Sequence, residues 1–357
     1  MKHLSKRNVR YYSRPFPFYD DLIKDINKAK RFVFIETYKI GEVVSVRLRD
    51  ALIKAVKRGV EVKLLLDHWG SLVSDDFFKE VEDLGGEVRF FRVFKVTTNL
   101  ISYNNRRDHR KIAVVDDVCF IGSANIADYC RNWREFIVRI RDENFASILR
   151  SVFLDNFKIH SFFFHSAKRH LKPLRFDSLE VVRDVPSLRY QRIRNKHLHL
   201  IRNAKREVVV ETPYFVPDTK TLFALIGAAK RGVDVKLIIP KKSDVRLVDV
   251  LAQSLFGELH KRGVKIFLFT PGFSHAKVSL VDGKFFSFGS ANFDYRSFKY
   301  QYEVAVFGDN VVLRDFVKGH LDVSLKNTEE FDFSVWKRRP LYKRVLEIVL
   351  EPFRYFF

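Results

Sequence analysis

Residues Ser274 to Asn292 read SHAKVSLVDGKFFSFGSAN, a stretch that brings together two cationic side chains, a carboxylate and a small polar turn. His275 and Lys277 stand two positions apart, so on a strand both side chains leave the same face and can meet one anion. Asp282 follows the alternating run Val278-Ser279-Leu280-Val281, which predicts a half-buried strand. Gly289-Ser290-Ala291-Asn292 then closes a second short strand, where a turn with a hydroxyl and an amide offers donors to phosphate oxygens. Together these residues read as a site for phosphate.

The pattern occurs twice. DHRKIAVVDDVCFIGSAN, from Asp108 to Asn125, sets His109, Lys111 and Asp116 at the spacing of His275, Lys277 and Asp282, and ends on Gly122-Ser123-Ala124-Asn125. An acidic residue follows each copy inside another strand-like run, Glu135 in WREFIVRI and Glu303 in YEVAVF. The copies differ in one respect: five residues separate Asp116 from Gly122, and six separate Asp282 from Gly289.

The duplication extends outward from the motifs. FYDDLIKDINKAK (18–30) predicts a helix leading into the strand RFVFIETYKI (31–40), and LRDALIKAVKRGV predicts a second helix feeding EVKLLLDHWGS. In the other half, REVVVETPYFVPD matches RFVFIETYKI, and TLFALIGAAKRGVDVKLIIP matches LRDALIKAVKRGVEVKLLLD down to a shared Lys-Arg-Gly-Val. The chain is therefore an internal duplication. Strands alternating with amphipathic helices predict an α/β fold with mixed, largely parallel sheets. The first half is expected over 1–165 and the second over 166–335, joined by a Phe-rich basic linker from about Phe153 to Tyr190. Its Phe162-Phe163-Phe164 run is expected to pack in the core, with a membrane-dipping surface as the alternative. From Trp336 to Phe357 the tail carries Tyr342, Val345, Leu346, Val349 and Phe353 among Lys and Arg. It predicts a basic amphipathic helix, bent or ended by Pro352, that docks on a membrane or on its own protein.

With 357 residues, 46% of them apolar, the chain can bury a sizeable core. A net charge of +22 calls for an anionic partner or substrate, a membrane surface or nucleic acid, unless it serves solubility alone. Cys119 and Cys130 form neither a disulfide framework nor a zinc site. No carboxylate or His/Cys cluster calls for a metal, and no cofactor is expected. The segment MKHLSKRNVRYYSR lacks the apolar centre of a signal peptide, and no apolar run is long enough to cross a bilayer.

His-x-Lys-x4-Asp with a downstream Gly-Ser-x-Asn is the pattern of the phospholipase D superfamily, and the sequence resembles that superfamily over nearly its whole length. Within it the chain is similar to the bacterial cardiolipin synthases, through ETPYFVPD (211–218), NFDYRSF (292–298) and RRPLYKRVLE in the tail. The resemblance implies two α/β/α halves packed about a pseudo-two-fold axis, with both motifs in one cleft at their interface. It also implies His109 as the nucleophile that forms a phosphohistidine, and His275 as general acid and then base. Lys111 and Lys277 would neutralise the phosphate, and Ser123, Asn125, Ser290 and Asn292 would donate to its oxygens. Glu135 and Glu303 are candidates to hold the imidazoles through their second nitrogen. Asp116 and Asp282 belong to the motif as catalytic or loop-anchoring groups. The implied reaction transfers a phosphatidyl group from one phosphatidylglycerol to another and releases glycerol. A phospholipase D-type hydrolase or a nuclease using the same two histidines is the alternative. A peripheral location on the cytoplasmic face of the cell membrane is expected, with anionic phospholipid ranked ahead of nucleic acid as partner.

Overall fold

The computed structural model describes residues 4–91, 106–159 and 171–356. The run Phe162-Phe163-Phe164 lies outside them.

The first half contributes strands β1 (Val9–Tyr12), β2 (Phe32–Thr37), β3 (Glu61–Asp67), β4 (Glu87–Phe91), β5 (Arg107–Asp108), β6 (Ile112–Val115), β7 (Val118–Gly122) and β8 (Ile137–Arg141). Its helices are α1 (Pro15–Lys28), α2 (Glu42–Lys57), α3 (Lys79–Asp83) and α4 (Glu143–Ile159). The second half contributes β9 (Leu174–Phe176), β10 (Leu179–Asp184), β11 (Glu207–Glu211), β12 (Phe215–Val216), β13 (Asp234–Pro240), β14 (Lys265–Phe269), β15 (Val278–Val281), β16 (Phe285–Gly289), β17 (Phe293–Asp294), β18 (Gln301–Gly308) and β19 (Thr328–Glu330). Its helices are α5 (Arg192–Asn203), α6 (Thr219–Lys230), α7 (Arg246–Lys261), α8 (Tyr295–Tyr300), α9 (Val311–Lys326), α10 (Phe333–Lys337) and α11 (Leu341–Leu350).

The two sheets repeat one topology. The first runs β1-β8-β7-β6-β2-β3-β4, and the second runs β10-β18-β16-β15-β11-β13-β14, extended by β9 at one edge and β19 at the other. The sheets are mixed, but the expectation of largely parallel pairing is corrected. Within each repeat only the central strand, its neighbour and the next one pair in parallel (β2-β3-β4 and β11-β13-β14). The motif strands pair antiparallel, because turns of two or three residues join them where parallel pairing would need a long crossover.

Alternating side chains divide each sheet between two cores. On β2, Phe32 and Phe34 enter a central core shared by both halves, while Val33 and Ile35 pack outward under α1 and α2. On β11, Val209 enters the same central core, and Val208 and Val210 face the layer under α5 and α6. Phe145, Leu149 and Phe153 of α4 and Leu313, Val317 and Leu321 of α9 complete the central core. The rings of Phe136 and Phe288 meet in it at 5.1 Å, one from each half. Fully burying each such side chain contributes about 1.5–3 kcal/mol.

The linker also differs from expectation. Phe153 is buried within α4, and β9 and β10 have already joined the second sheet before Tyr190. The tail is divided rather than one helix. α10 ends after Lys337, Pro340 caps α11, and the chain from Glu351 to Phe356 tightens into a 3-10 helix at Pro352, which cannot supply the N–H that would prolong α11.

Candidate active site

The backbone on either side of the interface is exchanged between halves. β5 pairs in parallel with β18, so that the His109 N–H donates to the Tyr302 carbonyl at 3.1 Å. At the related position Arg134 bridges to Ser274, and the His275 N–H donates to the Arg134 carbonyl at 2.8 Å. Each histidine is thereby laid beside the glutamate of the other half. His109 Nδ1 meets Glu303 Oε1 at 2.9 Å, and His275 Nδ1 meets Glu135 Oε1 at 2.8 Å. All four side chains are buried. A carboxylate on Nδ1 selects the tautomer with its proton there and leaves Nε2 for chemistry.

The second oxygen of each glutamate is held within its own half, where Ser123 Oγ donates to Glu135 and Ser290 Oγ donates to Glu303. Both hydroxyls also accept backbone N–H groups, from Phe136 at 2.9 Å and Val304 at 3.0 Å. The role expected for Ser123 and Ser290, donation to phosphate, is therefore corrected: each hydroxyl proton is already committed to a carboxylate. The preceding glycines make this seat possible. A Cβ on Gly122 would lie 2.2 Å from the Phe136 carbonyl oxygen, and one on Gly289 2.3 Å from that of Val304. The one-residue difference between the motifs never reaches this seat, because it is absorbed in the hairpins, with a two-residue turn after Val115 and a three-residue turn after Val281.

Lys111 Nζ donates to the His109 carbonyl at 2.8 Å, and Lys277 Nζ to the His275 carbonyl at 2.7 Å. Each ammonium keeps two further donors. Asn125 and Asn292 are buried, and their side-chain oxygens have no partner among the described residues.

Asp116 and Asp282 lie elsewhere, which corrects the catalytic one of their two expected roles and leaves the loop-anchoring one. Asp116, with φ 50°, accepts the backbone N–H groups of Lys30, Arg31 and Phe32. Asp282, with φ 56°, accepts those of Lys205, Arg206 and Glu207. Each carboxylate pins the start of the neighbouring strand to the hairpin turn. Replacing either by alanine is expected to lower stability by about 1–3 kcal/mol through loss of these charge-assisted bonds, while turnover per folded molecule stays within about twofold. Thermal denaturation alongside a specific-activity assay reads both.

Sequence reasoning missed an aromatic frame. Tyr38 meets the His109 ring at 5.0 Å, and Trp133, Phe273 and Tyr214 surround His275 at 5.0, 5.7 and 6.4 Å. Tyr38 and Tyr214 follow the carboxyl ends of β2 and β11, where open α/β sheets place their ligands. Aligning RFVFIETYKI with REVVVETPYFVPD would have pointed to both, since only Pro213 offsets them. Arg296, inside NFDYRSF, adds its charge to the field at His109.

The two histidines and two lysines act on one another from buried positions beside Glu135 and Glu303, and burial raises the Glu303 carboxyl to about 8. Burial, with Lys111, Lys277 and His275 beside it, holds His109 well below the usual histidine range. Burial lowers His275 to about 4 despite Glu135. Burial also lowers Lys111 to about 8 and Lys277 to about 7. An entering phosphate relieves all four groups, which is the electrostatic signature of an anion site. A pH dependence follows. The lysines are charged below these values and neutral above them, so kcat/KM is expected to fall as pH rises through about 7 to 8, while kcat falls only at higher pH because bound phosphate raises both lysines. Profiles of the two constants on one phosphodiester separate them.

Comparison with known proteins adds a family. The sequence model described as "Cardiolipin synthase, PLD-like domain" matches residues 22–156 and 197–321. The chain is 32% identical over 342 residues to the major cardiolipin synthase ClsA of Bacillus subtilis, covering 92% of this chain and 71% of that one. It is 30% identical over 368 residues to a cardiolipin synthase of Clostridium perfringens, covering 98% and 76%. Among solved structures, the phosphatidylserine synthase of Haemophilus influenzae superposes with a TM-score of 0.77 at 13% identity, covering 99% of this chain and 96% of that one. At that identity the likeness speaks to the duplicated fold.

Proposed function

Because the chain belongs to the cardiolipin synthase, PLD-like domain family, we propose that its cleft transfers a phosphatidyl group from one phosphatidylglycerol to the hydroxyl of another, giving cardiolipin and glycerol. The observation that carries this reading is the pair of buried His–Glu couples crossing the interface, 2.9 and 2.8 Å long.

His109 Nε2 attacks phosphorus, and the bond from phosphorus to the glycerol oxygen breaks. His275, protonated on Nε2 once the phosphate is bound, delivers that proton to the departing oxygen. A hydroxyl of the second phosphatidylglycerol then attacks the phosphohistidine and gives its proton to His275, and the P–N bond breaks to restore His109. Glu303 and Glu135 keep each Nδ1 protonated and orient the rings. Lys111 and Lys277 hold the non-bridging oxygens, and the Asn125 and Asn292 amides close the cleft around them. A bilayer surface supplies both lipids, and each Lys or Arg near an anionic membrane contributes about 1 kcal/mol of attraction. Among the described residues no helix is long and apolar enough to cross a membrane.

Incubating the protein with phosphatidylglycerol vesicles and weighing the lipids by mass spectrometry is expected to give cardiolipin and glycerol in equal amounts. Phosphatidic acid alone would make water the acceptor and the protein a hydrolase. No lipid product would move the search to nucleic acid phosphodiesters.

A further inference from the structure

α11 is inside out. On a surface helix the apolar stripe normally faces the core. Here Leu341, Tyr342, Val345, Ile348 and Val349 share one face and point to solvent, with Leu341 75% and Ile348 73% exposed. The buried residue of the helix is Glu347, held through both oxygens by Arg339 at 2.7 Å. Leu350 packs on Val216, Val248 and Leu251 and Leu346 is half-buried, so the helix docks through Glu347 and these two leucines and turns its other apolar side chains away. Lys337 and Arg338, both exposed, precede the stripe and Arg344 borders it, while Lys343 faces the cavity that Glu347 also lines. The following turns, Glu351 to Phe356, pack against α8, which carries Arg296 to the cleft.

We propose that this outward face is the surface by which the protein seats itself on an anionic phospholipid bilayer. The proposal rests on the lipid reading above in that the seat brings the cleft to its substrate. A stripe of aliphatic and aromatic side chains edged by cations lies in the interface plane, with its apolar groups at the acyl boundary and its cations among the headgroups. A second copy of this chain is the competing occupant, and charge argues against it. A two-fold contact would set Lys337, Arg338 and Arg344 against their own copies, in a molecule whose net charge is +22.

The test compares the wild-type chain with the double variant Val345→Glu, Ile348→Glu, both at exposed positions. Wild type is expected to float with phosphatidylglycerol vesicles, to bind phosphatidylcholine vesicles less, and to dissociate as salt rises. The variant is expected to lose at least tenfold in partition at unchanged melting temperature. Turnover of a short-chain phosphatidylglycerol, dispersed as monomers, is expected to be equal in both. If wild type turns over neither lipid, the reaction assigned to the cleft fails while flotation still decides the seat. Equal flotation of the two proteins overturns the proposal, as does a wild-type dimer in sedimentation that the variant breaks with no change in vesicle binding.

Discussion

His109→Ala is expected to lose at least about 10⁴-fold in turnover on every phosphodiester offered, because without its imidazole no covalent intermediate forms. His275→Ala is expected to lose as much on phosphatidylglycerol but to behave differently on a diester whose leaving group is p-nitrophenolate. That group departs without a proton, so the variant should release one burst equivalent of p-nitrophenol and stall as phosphohistidine, lacking a base for the acceptor. The burst assigns the two roles, which the near-symmetric site leaves open. A burst from His109→Ala and none from His275→Ala would exchange them.

Glu303→Gln is expected to lower turnover by about 10³- to 10⁴-fold, the scale seen when an imidazole loses the carboxylate that fixes its tautomer. The direction of coupling matters more than the size. Glu303 bonds to His109, 194 positions away, and its partner in its own half is Ser290. Glu303→Gln should therefore reproduce the defect of His109→Ala, with no burst, and combining the two should cost little beyond His109→Ala alone. Glu135→Gln should stall after the burst, as His275→Ala does, since Glu135 serves His275. Additive losses in the Glu303/His109 double variant would show that the carboxylate acts elsewhere.

The repeat, the two motifs and the division into strands and helices were legible in the sequence because periodicity and spacing are local properties. The exchange of glutamates between halves was not, since it depends on β5 pairing with β18 and Arg134 bridging Ser274, contacts between segments far apart in the chain. For Asp116 and Asp282 spacing left two roles open, catalytic and loop-anchoring, for a related reason. They sit in the motif by spacing, yet the strand before each places it in a turn with positive φ, facing the backbone of a neighbouring strand. Ser123 and Ser290 were placed correctly in the turn but not in their bonding, because the competing acceptor comes from the next strand. The outward stripe of α11 was visible as a stripe; which way it faced depended on Glu347 finding Arg339.

The crossing of β5 onto β18 sets a schedule for the nascent protein. His109 is synthesised early, but the strand and carboxylate that seat it arrive only with Gln301 to Glu303. At roughly 5–20 residues per second, the ribosome spends on the order of ten seconds or more between them. Throughout that interval the His109 imidazole lacks both the backbone and the carboxylate that seat it, so the His109–Glu303 couple forms only after most of the chain has emerged.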